Sequence, residues 1–168
     1  MSGFRPEENY GMQWECLDLT ALTLEIKEVR TLGKLKDPKT EDAARVVDIT
    51  PAMAKWIVAQ KSRSALRSKF VWVTVTGKPI DQSDFAREVW KPLHEAAKVK
   101  YRPPRQARHT FATRHIDRGT DPHGIAVQMG TSLKMLFETY TAQWNRARDR
   151  KAQETGNARG HVYGHGDK

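Results

Sequence analysis

The sequence predicts an α+β fold, mainly helical, with a small antiparallel β-sheet. Two observations predict it: period-two alternation in short stretches near the start, and a succession of capped, helix-length segments over the rest. Leu22, Leu24 and Ile26 alternate with Thr23, Glu25 and Lys27, as in a half-buried strand. Arg45-Val46-Val47-Asp48-Ile49 reads as its partner, and the charged, turn-rich residues 30–44 between them form a long basic hairpin loop with Lys34, Lys36 and Lys39.

The elements follow in order. Pro6 with Glu7 and Glu8 marks a helix start, because proline fits the first turn and acids complement the helix dipole. That helix should reach about Trp14, weakened by Gly11. Thr50-Pro51 is a cap and first-turn pair for a helix carrying Met53, Trp56, Ile57 and Gln60. Phe70 to Val75 reads as a further strand, ended by Gly77 and Pro79. Ser83 caps a helix whose Phe85, Val89, Leu93 and Ala96 make an apolar stripe, and Pro92 should kink or shorten it. Tyr101-Arg102-Pro103-Pro104 is a breaker, after which a helix runs from about Arg105 to Asp117 and stops before Gly119. Asp121-Pro122 opens the next, ending near Gly130, and Ser132 caps another through Tyr140. Arg146 to Lys151 is expected to be helical. Residues 1–155 then form one domain, and the Gly- and His-rich residues 156–168 a flexible tail.

Bulk properties narrow the function. The 168 residues suffice for one domain with a real core, and five tryptophans supply bulky side chains for it. Lys and Arg number 29 against 20 Asp and Glu, a net charge of +9 that fits a polyanionic partner, nucleic acid before an acidic membrane surface. Cys16 is the single cysteine, which excludes an internal disulfide and a Cys-cluster zinc site and reads as a buried structural thiol. His94, His115 and His123 show no ligand-like pairing, so no metal is expected. No apolar run approaches the roughly 20 residues of a membrane span, and the start lacks a signal-peptide core. A cytoplasmic setting is the expectation.

The most informative stretch is Arg105-Gln106-Ala107-Arg108-His109-Thr110-Phe111-Ala112-Thr113, followed by Met129-Gly130-Thr131-Ser132 and Glu138-Thr139-Tyr140-Thr141. An arginine suits bidentate holding of a phosphate, and a tyrosine hydroxyl can attack phosphorus. Attack at a phosphodiester builds charge on the nonbridging oxygens and the departing sugar oxygen, so without a metal the protein must supply fixed cationic donors. Two arginines, a proton donor for the 5′ oxygen and an in-line hydroxyl are the minimum kit.

In order, residue type and spacing this block resembles the C-terminal catalytic domain of the tyrosine recombinases, the phage-integrase family. Gly3-Phe4-Arg5-Pro6-Glu7-Glu8 and Trp14-Glu15-Cys16-Leu17-Asp18 resemble its first box, which gives Arg5 the first arginine role. Lys39-Thr40 resembles the hairpin lysine and makes Lys39 the candidate general acid, with Lys34 and Lys36 on the same loop. Arg108 takes the second arginine and Tyr140, nine residues after Thr131, the nucleophile. The resemblance implies a 3′-phosphotyrosine intermediate, strand exchange, no cofactor, and double-stranded DNA as partner. It further implies a tetramer on DNA for the full-length protein, with a separate N-terminal core-binding domain absent from this chain; as a fragment the chain would be a monomer. The host setting implied is bacterial or phage-encoded, acting on nucleoid DNA.

Two positions depart from the family pattern. Arg105 stands where His is usual, and arginine cannot accept a proton near neutral pH. Thr131 stands where His or Trp is usual; its hydroxyl can donate to a phosphate oxygen but brings no imidazole. One lost contact of this kind typically costs about 3–4 kcal/mol of transition-state stabilisation. Reduced activity therefore stays open, as do two rivals: a non-catalytic DNA-binding module, with residues 122–140 as a helix-turn-helix, and a type IB topoisomerase-like enzyme. His109 reads as structural. Lys98, Lys100, Arg102, Arg114 and Arg118 gather charge around the second box, where some would track the DNA backbone.

Overall fold

A computed structural model describes the backbone of residues 2–27, 29–31, 34–36 and 45–162, and the side chains of 2–27 and 45–155. Lys39 and residues 163–168 of the expected tail lie outside the described residues.

The sheet forms where alternation predicts it. Strands β1 (Leu17–Asp18), β2 (Thr23–Ile26) and β5 (Arg45–Asp48) line up antiparallel in the order β1-β2-β5, with Leu24 opposite both Leu17 and Val47. Leu24, Ile26 and Val47 point inward and are buried, as period two requires. The hairpin loop carries strands of its own, β3 (Val29–Thr31) and β4 (Lys34–Lys36), paired antiparallel.

Helix α1 (Pro6–Tyr10) ends at Gly11 and gives way to a 3₁₀ turn over Trp14–Cys16, shorter than expected. Glycine so early offers no side chain to hold a further turn. Helix α2 (Pro51–Ser64) starts as expected: the Thr50 hydroxyl accepts a bond from the Met53 amide at 3.2 Å.

The predicted strand at 70–75 is not one. Among the described residues the segment makes only isolated bridges, Gln13 with Phe70 and Val73 with Pro79. Phe70 and Val71 serve instead as core plugs, tied to the chain by Val71 N to Met12 O at 2.9 Å. The predicted apolar stripe over 85–96 also fails. Helix α3 (Gln82–Asp84), capped by Asp81 rather than Ser83, continues as a π-helical segment over Phe85–Trp90 and only then as α4 (Lys91–Ala96). The Lys91 amide reaches back five residues to Ala86 O, and Pro92 has no N–H for the next rung. The wider winding scatters the stripe, leaving Val89 and Leu93 exposed, while Phe85 packs on Tyr10 at 5.6 Å.

Three helices complete the molecule: α5 (Gln106–Asp117), α6 (Pro122–Met129) and α7 (Leu133–Val162). Asp121 caps α6 through the Gly124 amide at 2.8 Å, and Ser132 accepts from Met135 N at 3.2 Å to start α7. Beyond Tyr140 the helix goes on to Val162, so the segment expected as a tail from residue 156 begins helical. Two apolar clusters result. One joins the sheet and α2 through Phe4, Leu24, Ile26, Val47, Ile57 and Val71, with Cys16 buried in it; the other joins α5, α6 and α7 through Phe111, Ile116, Ile125, Met129 and Leu136. Arg5, Arg108 and Tyr140 gather at their seam.

Candidate active site

Arg5 is the N-cap residue of α1, and Pro6 fixes the first turn. Glu8, three residues on, lies one turn above it and accepts from both the Arg5 amide (2.7 Å) and its guanidinium (2.8 Å). This is a capping box with a second function, since the same carboxylate aims the arginine. Arg5 Nη2 then crosses to α6 and donates to Gly130 O at 2.5 Å. The side chain remains 35% exposed, enough for an anion to reach it.

Arg108 comes from α5. Its Nη1 donates to Met129 O at 2.5 Å and to Gly3 O at 2.8 Å. The two arginines thus rest on consecutive carbonyls at the C-terminal end of α6, where orphan carbonyls and the negative end of the dipole attract cations. Gly130 makes this possible by turning out of the helix in the left-handed conformation, φ +62°. Among the described residues no acceptor engages Arg108 Nε or Nη2. Burial, together with the Arg5 and Arg45 charges, pushes the Arg108 guanidinium down to about 10, which leaves it charged at neutral pH.

Arg45, the first residue of β5, completes the cluster. Its guanidinium meets Glu8 through Nη1–Oε1 at 3.0 Å and Nη2–Oε2 at 3.1 Å, and it also donates to Gln128 O at 3.2 Å. Sequence reasoning missed both Glu8 and Arg45. The only available signal was the spacing of Glu8 three residues after a cap.

Tyr140 lies inside α7 but departs from helical geometry, with φ −118° and ψ 21°. Its ring is buried in the cluster of α5, α6 and α7, and its hydroxyl lies 2.9 Å from Nδ1 of His109. Burial raises the Tyr140 phenol above its ordinary value, with Arg108 and then Arg105 pulling the other way. Both arginines therefore lie within electrostatic reach of the hydroxyl. Arg105, the exposed N-cap residue of α5, makes no side-chain cap bond. Thr131 follows Gly130 and its amide bonds Ala126 O; among the described residues nothing engages its hydroxyl. The structure thus brings Arg5, Arg108 and Tyr140 to one seam, with Arg105 beside Tyr140 and Thr131 at its rim.

A backbone-held pair of arginines beside a buried phenol suits an anion undergoing attack by oxygen. No group of three or more His, Cys, Asp or Glu that could hold a metal ion occurs among the described residues.

The chain is similar to known proteins in sequence and in fold. The sequence is 25% identical over 166 residues to the putative defective protein IntQ of Escherichia coli (strain K12), covering 83% of this chain and 42% of that protein. It is 24% identical over 167 residues to a XerC-like tyrosine recombinase of Caldanaerobacter subterraneus subsp. tengcongensis, with the same coverages of 83% and 42%. The chain therefore spans less than half the length of these curated relatives. Among solved structures, the Tn1549 transposon integrase in complex with transposon right end DNA superposes with a TM-score of 0.71 at 19% identity, over 90% of this chain and 55% of that one. XerA recombinase gives 0.65 at 20% identity, over 84% and 53%. At these identities the structural likeness is one of fold. The family match itself runs over residues 1–146, from the first box past Tyr140, and on that extent the chain belongs to the phage integrase family.

Proposed function

We propose that residues 1–155 are the catalytic domain of a site-specific DNA recombinase acting on double-stranded DNA. Tyr140 Oη bonds to phosphorus while the bond from phosphorus to O5′ breaks. The 3′ phosphate stays on the tyrosine, and the 5′ oxygen takes a proton from Lys39. A partner strand's 5′ hydroxyl reverses the step to complete the exchange. Arg5 and Arg108 hold the nonbridging oxygens, and Arg105 and Thr131 lie at the edge of the same phosphate. In this reading the working protein is a bacterial or phage-encoded tetramer bridging two DNA sites in the cytoplasm.

The observation that carries the reading is the seating of Arg5 on the carbonyl of Gly130 and of Arg108 on that of Met129, with Arg108 acting electrostatically on the buried Tyr140. Guanidinium groups fixed by backbone need no reorganisation when charge develops. A helix-turn-helix reader has no use for them.

The test uses nicked suicide duplexes carrying sites that the protein itself selects from a random pool. A denaturant-resistant protein–DNA adduct is expected, and Tyr140→Phe should abolish it. Tight, selective binding without adduct would replace the enzyme with a DNA-binding module.

A further inference from the structure

Nucleophilic attack by a phenol leaves a proton to be placed, and the residue that the family pattern offers for it is missing. Arg105 occupies that position, and a guanidinium has no lone pair to give at neutral pH. Tyr140 does not shed the proton unaided either, because burial favours its neutral form. Among the described residues, one basic nitrogen contacts the reacting oxygen. His109 Nδ1 lies 2.9 Å from Tyr140 Oη, within the reach required of a general base, and the two rings pack with centroids 5.8 Å apart.

We propose that His109 is the proton acceptor for Tyr140 and thus a catalytic residue of the strand-cleavage step. The inference rests on Tyr140 being the nucleophile.

The geometry follows from the helix. His109 is the residue after Arg108 on α5, about 100° further round, so one face of α5 presents a cation to the phosphate while the adjacent face presents imidazole to α7. With its proton on Nε2, the ring offers the Nδ1 lone pair to the hydroxyl. As Oη bonds to phosphorus, Nδ1 takes the phenolic proton, O5′ departs with the electron pair of the broken bond, and the general acid protonates it. In the reverse step the imidazolium returns its proton to the departing phenol oxygen. The charged or titratable groups acting on His109 are Tyr140 from α7 and Arg105 and Arg108 on its own helix. Burial first, then those two arginines, lower its value below 6.5, so the acceptor form dominates at neutral pH. Arg105, by this account, keeps the base neutral where the usual residue would have been the base.

The experiment is single-turnover adduct formation on a nicked duplex, followed between pH 5 and 8, for the unaltered chain, His109→Asn, His109→Ala and Tyr140→Phe. The unaltered chain should lose rate about tenfold per pH unit below the His109 value and level off above it. His109→Asn keeps an oxygen acceptor where Nδ1 lies but no useful basicity. Its rate at neutral pH should fall on the order of a hundredfold or more, with the acidic limb gone. Added imidazole should restore part of the His109→Ala rate. His109→Asn reacting at the original rate would overturn the proposal, and so would a slowed His109→Asn that retained the original pH profile, since that marks a positioning residue. If Tyr140→Phe still forms adduct, the reading of Tyr140 as nucleophile falls instead, and this inference with it.

Discussion

Glu8 and Arg45 meet fork to fork across the seam of the molecule, with two bonds of 3.0 and 3.1 Å, and Glu8 also holds Arg5. Glu8 is 1% exposed, so removing it leaves the buried Arg45 guanidinium without its counter-ion in a dry place and Arg5 without its anchor. Glu8→Ala should therefore destabilise the chain by about 3–5 kcal/mol in urea denaturation. A loss below about 1 kcal/mol would show that the pair is not desolvated in solution.

The same carboxyl gives a pH signature. Burial raises its value, but Arg45 and then Arg5 outweigh burial and hold it below 4.5. A depressed acid stabilises the fold fully above its unfolded value and loses that contribution as pH falls through the folded one. The stability gap between the unaltered chain and Glu8→Gln should thus be widest near neutrality and shrink as pH falls below 4.5. A gap that widens in acid would reverse the sign and refute the pairing.

Gly130 should not tolerate a side chain. Its φ of +62° costs an L residue about 1–2 kcal/mol, and a Cβ would collide with the Arg45 guanidinium. Gly130→Ala should lower the melting temperature and slow adduct formation together, because the carbonyl that seats Arg5 belongs to this residue. Unchanged cleavage in a destabilised variant would separate the turn from the site.

Arg5→Lys keeps the charge and loses the planar fork. One ammonium cannot satisfy Glu8, Gly130 O and a phosphate in the same geometry. Adduct formation should drop about 10²–10³-fold while DNA binding, read by gel shift, changes far less. Equal losses in both would make Arg5 a binding residue only.

Asp117 on α5 ties down the far part of α7, accepting from Arg150 at 2.7 Å and Gln143 at 2.5 Å. These bonds are solvent-exposed, so Asp117→Ala should change global stability by no more than about 1 kcal/mol. Amide exchange over residues 141–155 should nevertheless quicken, while exchange over α5 stays put.

Local chemistry was legible and distant pairing was not. Thr50, Asp121 and Ser132 announce helix starts because a cap acts within three residues, and the Leu24–Ile26 alternation announces a strand because period two needs no partner to be seen. Phe70 to Val75 has strand composition, yet Phe70 and Val71 plug the core without a ladder while Val75 stays exposed. The π-helical turn over Phe85–Trp90 depends on which backbone rung forms, and side-chain periodicity does not encode that. Arg5, Arg108 and Tyr140 could be picked from their block. Glu8 with Arg45 and His109 with Tyr140 join residues 37 and 31 apart, and nothing local marks either partner.

The departure from helical geometry in α7 falls on the residue that bears the phenol. A joint placed elsewhere would carry the hydroxyl along an arc with its segment. A joint at this α-carbon makes the phenol's heading, relative to the helix upstream, depend on one backbone torsion, the Tyr140 φ. Rotation about that bond would turn the phenol together with the downstream rod, while Leu136 one turn upstream stays packed in the core.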